Sequence, residues 1–167
     1  IWQLPVLFVC ENNLYAMGVP LEDSESQTDI YRKADAYRIP ALQVNGMEPV
    51  KMEFAARTAV EHIRAHGGPY FMECRTYRFR AHSMFDTQAY RTRDEIEGWK
   101  QRDPIARLKA WMQDNHQLTA DEAARIDADI TAEIDAAVAF AEAGTLEPVA
   151  DLERFVLMAS VVQEAPG

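Results

Sequence analysis

Leu4-Pro5-Val6-Leu7-Phe8-Val9-Cys10, followed directly by Glu11-Asn12-Asn13, is the stretch that decides the fold. The apolar residues do not alternate with polar ones, which is typical of a parallel strand covered on both faces. Ligands of open α/β sheets bind outside the carboxyl ends of the strands. The two asparagines stand at that position, and their neutral oxygens suit a hard cation that carries an anionic ligand. The alternative is a turn held by local Asn hydrogen bonds.

The residues that follow predict alternating helices and strands up to the middle of the chain. Thr28 is the expected N-cap of a short helix to Tyr37, and Gly67-Gly68-Pro69 ends a longer helix. The predicted elements after the first strand are a helix at 28–37, a strand at 39–44, a helix at 49–66 and a strand at 70–79. This order predicts an α/β fold with a parallel sheet flanked by helices.

Capping signals predict a helical second half. Thr92 and Thr119 each precede a Glu by three residues, as in a capping box, and Asp103-Pro104 is a typical helix start. The last predicted helix runs to about Ala143. It carries an apolar stripe, expected to be core or partner surface, at Ile126, Ile130, Ile134 and Val138. We assign residues 1–113 to the α/β part and 114–167 to an acidic helical region of the same domain.

The charge distribution excludes some classes of partner. The net charge is −10, but residues 1–113 hold equal numbers of acids and bases, so the excess lies in the last third of the chain. Nucleic-acid and membrane-surface binding need clustered Lys and Arg, so neither partner is expected. Cys10 and Cys74 both fall in predicted strands, which indicates reduced thiols and a reducing compartment. No apolar run is long enough to span a bilayer, and we expect a soluble chain.

His82 follows an arginine-bearing segment that the sequence predicts to be cationic. The arginines of this region are Arg75, Arg78, Arg80, Arg91 and Arg93. A cationic pocket beside an imidazole suits anionic substrates, and His titrates near neutrality, as proton transfer requires. The alternative is that a lone His in a basic loop is structural.

An ordered series of motifs resembles one family over nearly the whole chain. The chain is similar to the alpha subunit of the thiamine-diphosphate-dependent first component of 2-oxoacid dehydrogenase complexes, most closely the pyruvate type. The stretches that carry the resemblance are 4–13, Thr28-Asp29-Ile30-Tyr31, Val44-Asn45-Gly46-Met47, the segment Arg75 to Asp86, Tyr90-Arg91-Thr92 and Arg102-Asp103-Pro104-Ile105. The fold implied is a partial thiamine-diphosphate-binding fold.

The resemblance implies a cofactor and site residues. Thiamine diphosphate binds with Mg²⁺, for which Asn13 would supply its side-chain oxygen and Tyr15 its backbone carbonyl. His82 would border the cofactor and assist proton transfers as the acyl group passes to lipoamide. Ser83 aligns with a serine that kinases modify in mitochondrial relatives. The loop departs from the family pattern, which usually has Gly at position 81, often a small residue at 85 and often Pro at 87.

The resemblance also implies an assembly. We expect a heterotetramer with a beta subunit, a lipoyl-bearing acyltransferase as partner and a 2-oxoacid as substrate, in the bacterial cytoplasm or the mitochondrial matrix. The reaction implied is oxidative decarboxylation of pyruvate with acetyl transfer to lipoamide. The family's Gly-Asp-Gly, whose Asp is the carboxylate ligand of Mg²⁺, would precede Ile1, so we expect a truncated chain that is inactive alone. The alternatives are an acetoin or branched-chain 2-oxoacid dehydrogenase, or a noncatalytic fragment that only packs against a partner.

Overall fold

The computed structural model describes residues 1–154 and 156. They fall into two compact units, Ile1–Leu118 and a second that begins at Thr119. The first unit contains β1 Leu7–Asn12, β2 Tyr15–Ala16, β3 Val19–Pro20, α1 Leu21–Ser24, a 3₁₀ helix Ile30–Tyr37, β4 Ala41–Asn45, α2 Pro49–His66, β5 Tyr70–Arg75, α3 Arg93–Lys100 and α4 Pro104–Asp114. The second contains α5 Ala120–Ala143 and a 3₁₀ helix Val149–Asp151. The predicted division between 113 and 114 stays a prediction.

The sheet of the first unit is parallel, as the alternating order predicts. Its strand order is β1-β5-β4, and both pairings are parallel. Because side chains of a strand alternate between faces, Met72 and Cys74 lie on one face and Phe71 and Glu73 on the other. Helix α2 packs on the first face, where Val44, Ala55, Met72 and Cys74 form the buried core. The predicted α/β class with helices flanking the sheet is confirmed.

Strand β1 differs from the prediction in its start and in its burial. It begins at Leu7 rather than Leu4, because the Val6 carbonyl accepts the Tyr70 N–H and pairing starts opposite Tyr70. The strand lies at an edge of the sheet, and Phe8 and Val9 are each about half exposed. The expectation of a strand covered on both faces is therefore wrong for these residues.

Two other predicted boundaries move for identifiable reasons. Strand β5 ends at Arg75 instead of Phe79, because both of its neighbours end there, at Asn12 and Asn45. Thr28 is not an N-cap. The helix that follows is a 3₁₀ helix that begins after Asp29, whose carboxylate pairs with Arg75 and Arg32 instead of capping.

Helices α2 to α5 form with the predicted starts, whereas α1 and the 3₁₀ helix Val149–Asp151 were not predicted. Thr119 and Glu122 make both hydrogen bonds of the capping box at α5, and the Asp103 carboxylate accepts two N–H groups at α4. The Thr92 hydroxyl accepts the Glu95 N–H at α3, but the Glu95 carboxylate contacts tyrosines instead of completing the box. The apolar stripe of α5 is about half exposed. Phe155 and residues 157–167 of the predicted helical region lie outside the described residues.

Of the helices in the described part, none is long and apolar enough to cross a membrane.

Two glycines give a matched test of the packing. A Cβ on Gly46 would lie 2.5 Å from Thr76 Cγ2 and 2.9 Å from the Arg75 carbonyl oxygen, whereas a Cβ on Gly98 in α3 would meet nothing within 4 Å. We expect Gly46→Ala to lower the free energy of unfolding by about 1–3 kcal/mol. Gly98→Ala should raise it by about 0.5–1 kcal/mol, because Ala is the better helix former. Urea denaturation measures both, and equal effects would contradict this packing.

Candidate functional site

The carboxyl ends of the three parallel strands meet at one polar edge. Asn12 of β1 and Asn45 of β4 both lie opposite Arg75 of β5. The Thr76 N–H then donates to the Asn12 carbonyl, and the Gly46 N–H donates to the Arg75 carbonyl. This edge is where ligands of parallel sheets bind.

A fully buried carboxylate, two residues before the end of the central strand, organises this edge. Glu73, in the central strand, has no exposed surface. It accepts hydrogen bonds from Asn12 Nδ2 at 2.7 Å, the Tyr31 N–H at 2.9 Å and Arg75 Nε at 3.1 Å. Burial by itself raises the pKa of Glu73, but these donors outweigh that effect and the pKa lies below its ordinary value of 4.5. Glu73 is thus an ionised group that fixes the side chain of Asn12.

The two asparagines form the local turns that their residue type favours. Asn12 Oδ1 accepts the Leu14 N–H at 3.1 Å, and Asn13 Oδ1 accepts the Tyr15 N–H at 3.4 Å. Leu14 has φ 71° and Met17 has φ 59°, so left-handed residues flank Tyr15-Ala16. The second Asn bond is long, which leaves the Asn13 oxygen weakly engaged.

The backbone carbonyl of Tyr15 is directed away from the hairpin. Strands β2 and β3 pair Tyr15 with Pro20, which has no N–H to donate. The Leu21 N–H donates to the Leu14 carbonyl, so Leu14–Leu21 is a hydrogen-bonded pair. In an antiparallel ladder the next pair, Tyr15–Pro20, is then not hydrogen-bonded, and its carbonyls point away from the partner strand. Tyr15 and Asn13 also line a cleft of about 240 Å³ at this end of β1.

The Tyr15 side chain is held by a carboxylate and by two aromatic rings. Its hydroxyl donates to Glu95 Oε1 at 2.8 Å. Its ring lies 6.3 Å from that of Tyr77 and 5.4 Å from that of Tyr90, centroid to centroid. Burial, followed by the bond to Glu95, raises the pKa of Tyr15 to about 12, so the hydroxyl stays a donor at neutral pH.

His82 lies exposed in the loop after β5, with one ring nitrogen already engaged. Arg78 Nη1 lies 3.1 Å from His82 Nδ1. A guanidinium can only donate, so this contact uses Nδ1 as the acceptor and leaves Nε2 as the nitrogen without a partner among the contacts of this loop. The other guanidinium nitrogen, Nη2, donates to the Met17 carbonyl at 3.1 Å and contacts the Tyr90 hydroxyl at 3.2 Å.

Asp86 closes the His82 loop. Its carboxylate accepts the His82 N–H at 2.9 Å, the Tyr90 hydroxyl at 2.7 Å and the Gln88 N–H at 2.8 Å. These three donors lower the pKa of Asp86 to about 2. Ser83 is exposed inside this loop, and its carbonyl accepts the Asp86 N–H.

The structure therefore brings the predicted residues to one region through Tyr90. The Tyr90 ring contacts Tyr15, and its hydroxyl binds Asp86, which binds the His82 backbone. Asn13 lies two residues from Tyr15. Sequence reasoning missed four residues that build this region, namely Glu73, Asp86, Tyr90 and Glu95. Asp86 and Tyr90 lie in stretches that carry the family resemblance, and Glu73 interrupts an apolar strand, where an acid that becomes buried needs a partner.

The expectation of a cationic pocket needs correction. Arg75 is paired with Glu73 and Asp29. Arg91 is buried and donates to the carbonyls of Arg78, Phe79 and Arg80. These two arginines therefore offset internal charge and backbone oxygens. Arg78 is the arginine in contact with His82.

Within the described residues, no group of three or more His, Cys, Asp or Glu side chains could hold a metal ion. A cation at the Asn edge would take amide and carbonyl oxygens from this chain.

Comparison with known proteins decides the family. The family model described as the dehydrogenase E1 component matches residues 1–149. The chain belongs to this family. In this E1 chain, β1, the Asn edge and the His82 loop all fall inside the matched range.

Named relatives agree with the assignment. The chain is 39% identical over 158 residues to the testis-specific mitochondrial pyruvate dehydrogenase E1 component subunit alpha of Rattus norvegicus, covering 93% of this chain and 40% of the relative. It is 36% identical to the pyruvate dehydrogenase E1 component subunit alpha of Porphyra purpurea over 93% of this chain and 45% of the relative. The subunit of the same name from Rhizobium meliloti (strain 1021) is 36% identical over 95% of this chain and 46% of the relative. The chain spans less than half the length of these relatives.

Loss of the Glu73 charge should reveal how much the polar edge depends on it. We expect Glu73→Gln to lower the free energy of unfolding by about 3 kcal/mol at neutral pH, because Arg75 loses its buried partner. Because the folded pKa lies below 4.5, the difference from the original chain should be full above pH 4.5 and shrink as the pH falls. Urea denaturation across this range measures it.

The control is Glu53→Gln, which breaks an exposed pair with Arg57 on α2. Its effect should be much smaller than that of Glu73→Gln, because exposed ion pairs contribute little to stability. Equal effects of the two substitutions would contradict the role given to Glu73.

Proposed function

We propose that this chain is part of the alpha subunit of a pyruvate dehydrogenase E1 enzyme, which decarboxylates pyruvate oxidatively and transfers the acetyl group to lipoamide. The observation that carries the proposal is the family match over residues 1–149, together with the relatives reported above, which bear this name. The polar edge at Asn12-Asn13 and the loop of His82 are the parts of the chain that would serve the reaction.

We propose thiamine diphosphate with Mg²⁺ as cofactor. Bound thiamine diphosphate would supply the electron sink for loss of CO₂ from a 2-oxoacid. The donors present fit the metal, because Mg²⁺ prefers oxygen ligands and completes its octahedron with phosphate and water. Asn13 would give its side-chain oxygen and Tyr15 its backbone carbonyl, which points away from the hairpin. Asn12, held by Glu73, would orient the turn that carries both.

We propose that His82 serves the step in which the acyl group passes to lipoamide. Because Nδ1 faces the donating Arg78 guanidinium, Nε2 could donate a hydrogen bond to a substrate or cofactor oxygen. Asp86 and Tyr90 would hold the loop in place. His82 would therefore border the cofactor and assist the proton transfers that accompany acyl transfer.

The proposed partners follow from the same family. We propose a beta subunit in a heterotetramer, a lipoyl-bearing acyltransferase that receives the acetyl group, and a small 2-oxoacid as substrate. The names of relatives include mitochondrial and chloroplastic forms. We propose the cytoplasm for a bacterial source and the mitochondrial matrix for a eukaryotic one. The other candidates are an acetoin or branched-chain 2-oxoacid dehydrogenase, and a noncatalytic fragment that only packs against a partner. Mg²⁺-dependent thiamine diphosphate binding would distinguish the noncatalytic fragment from the enzymes.

Substitution of Asn13 tests the cofactor assignment. In the full-length enzyme assembled with its partner subunit, we expect Asn13→Ala to weaken thiamine diphosphate binding in Mg²⁺ by about tenfold or more, since it removes a metal ligand. His82→Ala is the contrasting variant, which should weaken cofactor binding less than Asn13→Ala does and lower lipoamide acetylation by about a hundredfold. Calorimetric titration and an acetylation assay measure the two effects. Normal affinity of Asn13→Ala would remove the metal assignment.

A phosphate on Ser83 tests regulation. Ser83 is exposed, and its backbone carbonyl accepts the Asp86 N–H within the same loop. A phosphate dianion there should repel Asp86 and compete for Arg78, which would loosen the loop. We expect phosphoserine at position 83 to lower turnover of the assembled enzyme, while Ser83→Ala stays active. Unchanged turnover with phosphoserine would end the regulatory hypothesis.

A further inference from the structure

Glu95 lies far in sequence from the hairpin that it holds. Its Oε1 atom accepts the Tyr15 hydroxyl at 2.8 Å and the Tyr77 hydroxyl at 2.9 Å. Tyr15 belongs to the short strand β2, and Tyr77 to the segment after β5. One carboxylate oxygen therefore joins helix α3 to both.

Helix α3 is itself fixed against the end of the sheet, so Glu95 is a rigid anchor. The Trp99 ring of α3 stacks on the buried Tyr77 ring, with centroids 4.9 Å apart and planes 6° from parallel. The Arg91 guanidinium lies 5.3 Å from the Tyr77 centroid. The Thr92 hydroxyl holds the first turn of α3 at the Glu95 N–H.

Tyr15 needs such an anchor, because its backbone has little regular structure to hold it. Strands β2 and β3 have two residues each. Left-handed residues stand on both sides, at Leu14 and Met17. The ring of Tyr15 is bound at its tip by Glu95 and at its faces and edges by Tyr77 and Tyr90. The contacts of the Tyr15 side chain thus support the short hairpin in holding the Tyr15 carbonyl in one direction.

We propose that Glu95 is a positioning residue for metal binding, which holds Tyr15 so that its backbone carbonyl faces the Mg²⁺ of the cofactor. The inference rests on the function proposed above. Glu95 does not touch the metal, and it acts through the Tyr15 hydroxyl.

The test measures Mn²⁺ binding, with Mn²⁺ in place of Mg²⁺, in the full-length protein assembled with its partner subunit and saturated with thiamine diphosphate. Electron paramagnetic resonance counts the free ion. We expect Glu95→Ala and Tyr15→Phe each to weaken Mn²⁺ binding about tenfold, and the double variant to be no weaker than either. Glu95→Gln keeps an acceptor oxygen and should restore most of the affinity.

Tyr77→Phe is the matched control. It removes a hydroxyl from the same Glu95 oxygen but leaves the bond to Tyr15 and the ring stacking on Trp99. It should leave Mn²⁺ affinity within about twofold of the original. If Tyr77→Phe weakens binding as much as Tyr15→Phe, or if Tyr15→Phe has no effect, the positioning role is overturned.

Asn13→Ala in the same assay separates this inference from the proposed function. Weak binding in Asn13→Ala with normal binding in Glu95→Ala would overturn the role of Glu95 alone. Normal binding in Asn13→Ala would overturn the metal site itself, and with it the inference.

Discussion

The first unit must surround a buried carboxylate in its central strand with hydrogen-bond donors. Glu73 has no exposed surface, and a buried charge is costly unless donors surround it. Its donors come from Asn12 on β1, the backbone of Tyr31 in the 3₁₀ helix and Arg75 on β5 itself. Satisfying one group therefore aligns two strands and a helix, and it fixes the asparagine next to Asn13.

A second layer of contacts builds the candidate site on this base. The chain after β5 returns to the Asn end of β1, where Tyr90 packs on Tyr15 and Glu95 binds the Tyr15 hydroxyl. A Cβ on Gly18 would lie 2.9 Å from the Tyr90 ring, so the glycine permits this approach. The His82 loop is held to the same tyrosine through Asp86. The hairpin and the loop thus share one aromatic cluster, and a change in either one affects the other.

Sequence reasoning succeeded where the determinants are local. The capping box at Thr119 and the Asp103 cap act within one helical turn, and both helices start where predicted. Sequence reasoning failed where a side chain binds a partner that lies far away in sequence. The Glu95 carboxylate could have completed a cap but binds Tyr15, eighty positions away. The roles of Asn13, Tyr15, His82 and Ser83 stay predictions.

The sequence by itself determined the α/β class, the family and most helix starts, because apolar runs, caps and motifs lie within short windows of the chain. Only the tertiary structure decided how the charged residues are used. Arg75 and Arg91 were two of the arginines expected to form a cationic pocket. In the structure Arg75 pairs with Glu73, and Arg91 donates to backbone carbonyls. The physical reason is that a charge's function depends on which opposite charge or oxygen lies within about 3 Å of it. That neighbour is set by packing between segments far apart in sequence.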